Sequence, residues 1–252
     1  MALNGKNNEE KIYNYLISKI ENIYGVCGLM GNLYAESGLK PTNLQNNGNK
    51  ILGMTDEEYT MAVDTGTYTN FVRDGFGYSI AQHTYWNRKQ NLLNYAKTYG
   101  TSIGDLEMQL NFLIWELQNG YKSVWNKLLS STSVRQASDV VLTEFEKPAD
   151  QGESVKVKRA LFGQQYYDKF NKQQKHILQG SKYYRVQCGA FKSKNGAIEL
   201  QKKLKLYGFN SIVAENNGLY KVQLGAYGVK QNAEKKLLEI KSKGFDAVII
   251  YS

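Results

Sequence analysis

The spacing of apolar residues divides the chain into a long helical part and a shorter part with a different pattern. Over residues 9–171 apolar positions recur at helical spacing, and in the first segment Ile12, Leu16 and Ile20 share one face. In the second, Gly28 and Gly31 would let another backbone approach closely. This pattern predicts a mainly α domain at 1–172, with helices at 9–23, 24–37, 86–99, 105–118, 121–129, 133–146 and 153–171.

The segment 40–80 interrupts the helical pattern. It is polar, rich in Gly and Tyr, and too long for a simple connection. Long segments of this kind are usually functional or disordered. The aromatic residues between 59 and 78 argue against disorder, so we expect an ordered, functional segment.

The C-terminal part is an internal duplication. YRVQCGAF at 184–191 returns as YKVQLGAY at 220–227, and ten of the thirty positions aligned at this shift are identical. Each copy has the pattern of a strand, a helix and a strand, with Gly208 and Gly244 where the helices should end. Two copies predict an α+β, ferredoxin-like βαββαβ domain at 183–252. The polar residues 173–182 are predicted to be a linker.

The net charge of +9 lies entirely in the C-terminal part. Residues 173–252 contain 14 Lys+Arg and 5 Asp+Glu, whereas residues 1–172 contain 18 of each. A basic module attracts anionic polymers, including nucleic acid, anionic membranes and bacterial wall polymers, so charge alone does not choose among them. No apolar stretch reaches the roughly 20 residues needed to span a bilayer, and the N-terminus does not resemble a secretory signal.

Cysteine and histidine usage predicts neither a disulfide nor a metal site. Cys27 and Cys188 fall in different predicted domains, so we expect two reduced thiols. His83 and His176 are the only histidines, and the chain lacks the Cys-x-x-Cys pair that would complete a zinc site. We therefore expect no metal and no cofactor.

Glu36 is the first candidate for a catalytic residue. Cleavage of a glycosidic bond needs a carboxyl that gives a proton to the leaving oxygen, and apolar surroundings raise the pKa of such an acid. Glu36 follows the apolar stretch LMGNLYA and precedes the helix stop SGLKP. From spacing alone, a surface glutamate at a helix end is the commoner explanation.

The stretch GLMGNLYAESGLKP resembles the motif of goose-type lysozymes and soluble lytic transglycosylases, in which a helix ends in Glu-Ser. Residues 9–171 are most similar to the phage tail-type lysozyme family, through ESGL-P, GYSIAQHTYWNRKQ, QLNFLIWEL and FEKPAD. The resemblance implies a lysozyme-like fold, Glu36 as the general acid, and Gln82 as the glutamine that lines the cleft. The family usually has Gln-Trp where this chain has Gln82-His83, and this departure falls at one subsite of the cleft.

The sequence leaves the identity of the second catalytic residue open. A hydrolase needs a base to activate water, whereas a lytic transglycosylase does not, because a substrate hydroxyl attacks instead. In goose-type enzymes the glutamine that lines the cleft belongs to a G-x-x-Q element, whose place is taken here by GYSIAQHTYW at 77–86. Those enzymes carry an Asp shortly before this element, which points to Asp74, with Asp64 as the runner-up. Asp74 could equally be a turn residue before Gly75. As a base it would stand roughly 6.5–9.5 Å from Glu36 and give inversion. Glu116 fits a structural role better than a catalytic one.

Aromatic residues near these motifs could stack on sugar rings or simply pack in the core. The candidates for sugar contact are Tyr34, Tyr78, Tyr85 and Trp86.

The repeated VQCGAF and VQLGAY, the Ala that opens each helix and the later Gly-Phe resemble the SPOR family across the whole C-terminal domain. That family binds glycan strands stripped of stem peptides across its open sheet face. The resemblance implies sugar contacts by Gln187, Phe191, Gln223 and Tyr227, although the two aromatic residues could only pack. An RNA-binding sheet would need exposed aromatics in basic, Gly-rich strands, so we expect no nucleic-acid partner.

These features together predict a bacteriolytic phage endolysin. The N-terminal domain would be a glycoside hydrolase, a muramidase cutting the β-1,4 bond between N-acetylmuramic acid and N-acetylglucosamine. The C-terminal domain would hold it on peptidoglycan, after release from the host cytoplasm through a holin pore and without membrane insertion. The alternatives are a lytic transglycosylase, an N-acetylglucosaminidase, and a non-catalytic wall-binding or phage tail structural protein.

Overall fold

The computed structural model describes residues 3–180, 183–228 and 230–251, without the side chains of 172–180. The chain divides into two compact units, Met1–Asn171 and Lys172–Ser252. Cys27 and Cys188 are both free thiols. Among the described residues, no helix combines the length and the apolar character that crossing a membrane requires.

The first unit is helical, as predicted, and each predicted helix is present within a few residues. Its helices are α1 Asn8–Ile20, α2 Ile23–Ser37, α3 Asn46–Leu52, α4 Asp56–Asp64, α5 Trp86–Tyr99, α6 Leu106–Asn119, α7 Lys122–Ser130, α8 Val134–Val140 and α9 Glu153–Gly180, and α8 continues as the π-helical segment Val141–Glu146.

Two helices were not expected, because both lie in the polar segment 40–80. Helix α4 begins with a capping box, in which the side chains of Thr55 and Glu58 each accept a hydrogen bond from the other residue's backbone N–H. Helix α3 has no side-chain cap. The aromatic residues of this segment form a buried cluster around Tyr59, Phe71 and Tyr78, so the segment is ordered, as predicted.

Helix α9 is longer than expected. It was predicted to end near residue 171, yet it continues to Gly180 and so occupies most of the predicted linker. Residues 181 and 182, the end of that linker, lie outside the described residues. Residues 173–180 are therefore helical, and their role as the linker between the two domains stays a prediction.

Helix α2 is the buried centre of the first unit, and two glycines set its distance from its neighbours. A Cβ at Gly31 would lie 2.5 Å from the backbone N of Gly163 and 2.6 Å from the carbonyl O of Arg159. A Cβ at Gly28 would lie 2.7 Å from the backbone N of Ser138. The close approach predicted from these glycines is confirmed, and it brings α9 directly against α2.

Gly31→Ala should therefore lower the free energy of unfolding by about 1–3 kcal/mol, because the added methyl group forces α2 and α9 apart. Urea denaturation measures this loss. Gly120→Ala is the matched control, because its Cβ would meet only the carbonyl O of Glu116, at 3.2 Å. We expect the control to change stability by no more than about 0.5 kcal/mol. Equal effects of the two substitutions would contradict the tight α2–α9 contact.

The second unit has the predicted βαββαβ order: β1 Tyr184–Phe191, α10 Lys194–Leu206, β2 Ile212–Asn216, β3 Leu219–Tyr227, α11 Lys230–Ser242 and β4 Val248–Tyr251. The strands form an antiparallel sheet in the order β2-β3-β1-β4. Val186 and Val222 of the sheet share a buried core with Leu204 of α10 and Ile240 of α11. Both helices therefore cover one face and leave the other open.

Candidate functional site

Glu36 lies in the last turn of α2, and the two residues after it explain the Glu-Ser-Gly order. The buried Ser37 hydroxyl lies 2.9 Å from the carbonyl O of Ile80, which ties the end of α2 to the segment after Gly77. Gly38 adopts a left-handed conformation (φ 61°) that ends the helix. The Glu36 side chain keeps 19% of its surface exposed, so the carboxyl is partly enclosed and still reaches solvent.

Arg159 of α9 holds the Glu36 carboxyl. Its guanidinium lies 2.5 Å from Oε1 of Glu36, and its Nη1 donates a hydrogen bond to the Oδ1 of Asn32 at 3.3 Å. The buried Asn32 amide donates in turn to the carbonyl O of Gly28. The close contact at Gly31 places Arg159 beside the last turns of α2. Sequence reasoning missed Arg159, because nothing distinguishes it from the other basic residues of its helix.

Two glutamines fix the segment that faces the end of α2. The Gln82 side chain donates hydrogen bonds to the carbonyl oxygens of Asn43 and Ser79, at 2.9 and 3.1 Å. Gln109 of α6 accepts from the backbone N–H of Ile80 and donates to the carbonyl O of Pro41. The sequence analysis also missed Gln109, although a glutamine on the apolar face of a helix indicates a buried side chain with hydrogen-bond partners.

Asp74 is an interior residue. Its side chain is 2% exposed and forms an ion pair at 2.5 Å with Lys89, whose side chain is 0% exposed. The hydroxyls of Tyr59 and Tyr68 and the backbone N–H of Phe76 also donate hydrogen bonds to it. A carboxylate enclosed in this way cannot activate water in a cleft, so the prediction that Asp74 is the base is contradicted. The runner-up, Asp64, is exposed and accepts a hydrogen bond from the backbone N–H of Ile103.

The aromatic candidates separate into core and surface residues. Tyr78 is fully buried and its hydroxyl lies 2.6 Å from that of Thr60, so the prediction that it contacts sugar is wrong. Tyr34, Tyr85 and Trp86 are exposed. The Arg73 guanidinium lies 5.6 Å from the ring centroid of Trp86. These three rings remain available for a sugar.

Glu116 has the structural role that the sequence favoured. It lies 2.7 Å from Nε of Arg88 and 3.2 Å from Nε2 of His83. Burial alone would raise the pKa of Glu116, but the interactions with His83 and Arg88 outweigh it and hold the pKa at about 2. Burial lowers the pKa of His83. Within the described part of the chain, no group of acidic, His and Cys side chains could hold a metal ion.

The open sheet face of the second unit has an amide pair at its centre. Gln187 of β1 lies opposite Gln223 of β3, with 3.4 Å between their side-chain amides. Ile212 of β2 and Val248 of β4, both exposed, extend this row across all four strands. The two predicted amides therefore lie side by side on the accessible face.

Phe191 and Tyr227 do not lie on that face. The pairing of β1 with β3 shifts between Gln187 and Gly189, which changes the alternation of side chains beyond that point. The Phe191 ring packs beside the first turn of α10, 3.1 Å from where a Cβ of Gly196 would be, and Tyr227 also packs against the buried core. The packing interpretation is correct for both rings, and the predicted sugar contacts across the open face are not supported.

The first unit is helical and carries a carboxyl at the end of its central helix, and a duplicated sheet unit follows it. These are the features of a two-domain protein of the lysozyme-like class. The sequence model described as "Phage tail lysozyme" matches residues 7–170, and the model described as "SPOR domain" matches residues 180–251. The chain belongs to the phage tail lysozyme family and carries a SPOR domain after the helical unit.

Two known proteins illustrate these similarities. "Morphogenesis protein 1" of Bacillus phage B103 is 24% identical over 152 residues, which are 57% of this chain and 34% of that protein. The chain thus spans about a third of the length of this relative. The solved peptidoglycan binding domain of the B. subtilis cell wall lytic enzyme CwlC is 45% identical and covers 29% of this chain and 92% of its own, with a TM-score of 0.27.

Proposed function

We propose that this protein cleaves the glycan strands of bacterial peptidoglycan at the β-1,4 bond between N-acetylmuramic acid and N-acetylglucosamine. The observation that carries the proposal is the placement of Glu36. It ends the buried helix of a domain that belongs to the phage tail lysozyme family, and its carboxyl is partly enclosed, held by Arg159 and still accessible.

The geometry suggests how Glu36 would act. One carboxyl oxygen, Oε1, faces Arg159, so the other oxygen, Oε2, would carry the proton and give it to the leaving glycosidic oxygen. After the transfer, the Arg159 guanidinium would stabilise the carboxylate that remains. Tyr34, Tyr85 and Trp86 would cover the apolar faces of sugar rings, and Gln82 would line the cleft.

The SPOR domain would keep the enzyme on its substrate. Its open face offers two amides that match sugar hydroxyls, between two exposed apolar side chains, and the Lys-rich unit attracts anionic wall polymers. Joining a weak binder to a cutting domain lengthens residence on a polymer. The proposal includes the role of a phage endolysin that reaches the wall from the host cytoplasm through a holin pore.

The combined change Gln187→Ala and Gln223→Ala should weaken binding to purified cell walls by about tenfold, because each lost hydrogen bond contributes about 0.5–1.5 kcal/mol. Cosedimentation of the full chain with insoluble peptidoglycan measures this. Gln231→Ala is the matched control, because Gln231 is exposed on α11, away from the open face. If the double variant binds as strongly as the control, sugar recognition across the open face is excluded.

A lytic transglycosylase is the second candidate, and the burial of Asp74 favours it. Hydrolysis needs an activated water, and the carboxylate predicted to activate it is paired with Lys89 in the interior. Transglycosylation needs no such base, because a hydroxyl of the substrate attacks. Both reactions use Glu36 as the acid and cut the same bond.

Incubation of the full chain with purified peptidoglycan tests the proposal. We expect soluble fragments to be released, with new sugar ends that increase with time. Binding without release would support the non-catalytic wall-binding or tail structural alternative instead. New ends on glucosamine would support an N-acetylglucosaminidase.

A further inference from the structure

A chain of buried hydrogen bonds leads from helices α5 and α6 to the segment that faces the end of α2. The Nε and Nη2 of Arg88 donate to the two carboxyl oxygens of Glu116, at 2.7 and 2.8 Å. The Nε2 of His83 lies 3.2 Å from Oε2 of Glu116, and its Nδ1 lies 2.8 Å from the hydroxyl of Ser79. Ser79 is 0% exposed and His83 is 2% exposed, so the protein itself supplies the partners of these groups.

The direction of each hydrogen bond follows from the charge of Glu116. Two hydrogen bonds from the Arg88 guanidinium stabilise it as a carboxylate, which can only accept. The Nε2 of His83 therefore carries a hydrogen and donates to Glu116. Burial first, and then the charge of Arg88, lower the pKa of His83, so the ring is neutral and its Nδ1 is an acceptor. The hydroxyl of Ser79 donates to that nitrogen.

Ser79 begins a turn at 79–82 whose backbone needs such support. Its φ is 84°, in the left-handed region that side chains disfavour, and Gln82 has a φ of 45°. Conformations of this kind persist where surrounding contacts hold them, and they cluster at functional sites. The Ser79 hydroxyl also accepts a hydrogen bond from the backbone N–H of Ala81, at 3.3 Å. The carbonyl O of Ile80, in the same turn, is the one that holds the end of α2.

The turn also orients the side chain of Gln82. Its Nε2 donates to the carbonyl O of Ser79 at 3.1 Å and to that of Asn43 at 2.9 Å, which uses both amide hydrogens. Among the described residues, no hydrogen bond reaches its Oε1, and this oxygen is not enclosed. A Cβ at Gly77 would lie 2.8 Å from Oε1, so a side chain there would displace it. Gln82 therefore presents one acceptor whose direction is fixed by the turn.

We propose that Ser79 and His83 are positioning residues for the substrate. They hold the turn at 79–82 so that Gln82 directs its Oε1 at a hydrogen-bond donor of the bound sugar, a hydroxyl or an acetamido N–H. Because the buried chain continues through Glu116 to Arg88, this acceptor is fixed before the sugar binds, which lowers the entropic cost of binding. The inference rests on the proposed role of Gln82 in lining the cleft.

The kinetics of the full chain on soluble glycan oligosaccharides without stem peptides test this role. Gln82→Ala removes a contact made in both the ground state and the transition state, so it should raise KM by about tenfold and change kcat by less than about twofold. Ser79→Ala leaves the amide present but less firmly held, and should raise KM by about threefold. In the double variant, KM should equal that of Gln82→Ala alone, because no amide remains to be positioned.

Ser131→Ala is the matched control for Ser79→Ala. It also removes a buried hydroxyl, which donates to the carbonyl O of Lys127 at 2.6 Å at the end of α7. Both serine variants should be less stable than the wild type, but only Ser79→Ala should raise KM. A rise in KM shared by both serine variants would overturn the proposal, as would independent effects that give about thirtyfold in the double variant. Every variant retains the second unit, so binding by that unit cancels in these comparisons.

NMR of two side chains gives readouts that need no activity. In the wild type at about pH 6, where an exposed histidine is mostly protonated, the ¹⁵N signals of His83 should show a hydrogen on Nε2 and none on Nδ1. A hydrogen on Nδ1 would reject the proposed chain of hydrogen bonds, even if Ser79→Ala fails to fold. The side-chain NH₂ of Gln82 should be ordered in the wild type and in Ser131→Ala, and mobile in Ser79→Ala.

These readouts separate the inference from the proposed function. An inactive wild type in which Ser79→Ala loosens the Gln82 amide rejects the proposed function alone. An active wild type in which the Gln82 amide stays ordered after Ser79→Ala rejects the positioning role.

Discussion

Glu36→Gln is expected to lower glycan cleavage by about 100- to 10,000-fold while the protein still binds cell walls. The amide can accept a hydrogen bond from Arg159 as the carboxyl does, but it cannot give a proton to the leaving oxygen. The loss should therefore arise from chemistry and leave the fold intact. Release of soluble fragments from peptidoglycan measures the rate, and circular dichroism with a melting curve establishes that the variant is folded.

The control for this substitution is Glu57→Gln, which removes a carboxylate of the same type from an exposed position on α4. We expect it to keep the activity of the wild type. A folded Glu36→Gln protein that retains more than a few per cent of the activity would reject Glu36 as the acid. Loss of wall binding together with activity would mean that the substitution disturbed more than the proton donor.

Asp74→Asn is expected to lower the free energy of unfolding by about 3–5 kcal/mol, because it leaves the buried Lys89 without its counterion. The two side chains are 2% and 0% exposed, and 2.5 Å separates the Lys89 nitrogen from the Asp74 oxygen. Urea denaturation at neutral pH measures the loss. The molecules that remain folded should keep their activity, since Asp74 does not face the cleft.

Two further variants test whether the loss of stability comes from the unpaired charge of the buried Lys89. The combined change Asp74→Asn and Lys89→Met should recover part of the lost stability, because no unpaired charge remains buried. Asp139→Asn breaks a partly exposed pair with Arg135 and should cost no more than about 1 kcal/mol. A stable Asp74→Asn protein that has lost its activity would restore Asp74 as the base.

Much of the fold could be predicted because its elements leave regular patterns in the sequence. The helical period located the long amphipathic helices, and the duplicated motif placed both halves of the sheet unit. The apolar pattern did not predict the short helices α3 and α4, because polar residues dominate them. The end of α9 was placed too early because a polar sequence without an apolar face can still continue a helix that tertiary contacts have begun.

The site was less predictable, because sequence motifs do not show which way a side chain points. Glu36 stood out through the motif around it, but its partner Arg159 lies far away along the chain and has no motif of its own. Asp74 and Tyr78 belonged to the right segment, yet both point into the interior and are held there by Lys89 and Thr60. Phe191 turned to the helical side because of an irregularity in strand pairing, of which the glycine in VQCGAF was the only sign.

Mass spectrometry of the sugar ends in peptidoglycan digested by the full chain tests the central claim most directly. Cleavage at the proposed bond by hydrolysis predicts fragments that end in reducing N-acetylmuramic acid, and Glu36→Gln should produce none above background. Ends in anhydro-muramic acid would support the proposed bond and the role of Glu36 as the acid, but would show that the reaction is transglycosylation and not hydrolysis. Reducing N-acetylglucosamine ends, or an intact glycan after complete binding, would contradict the account.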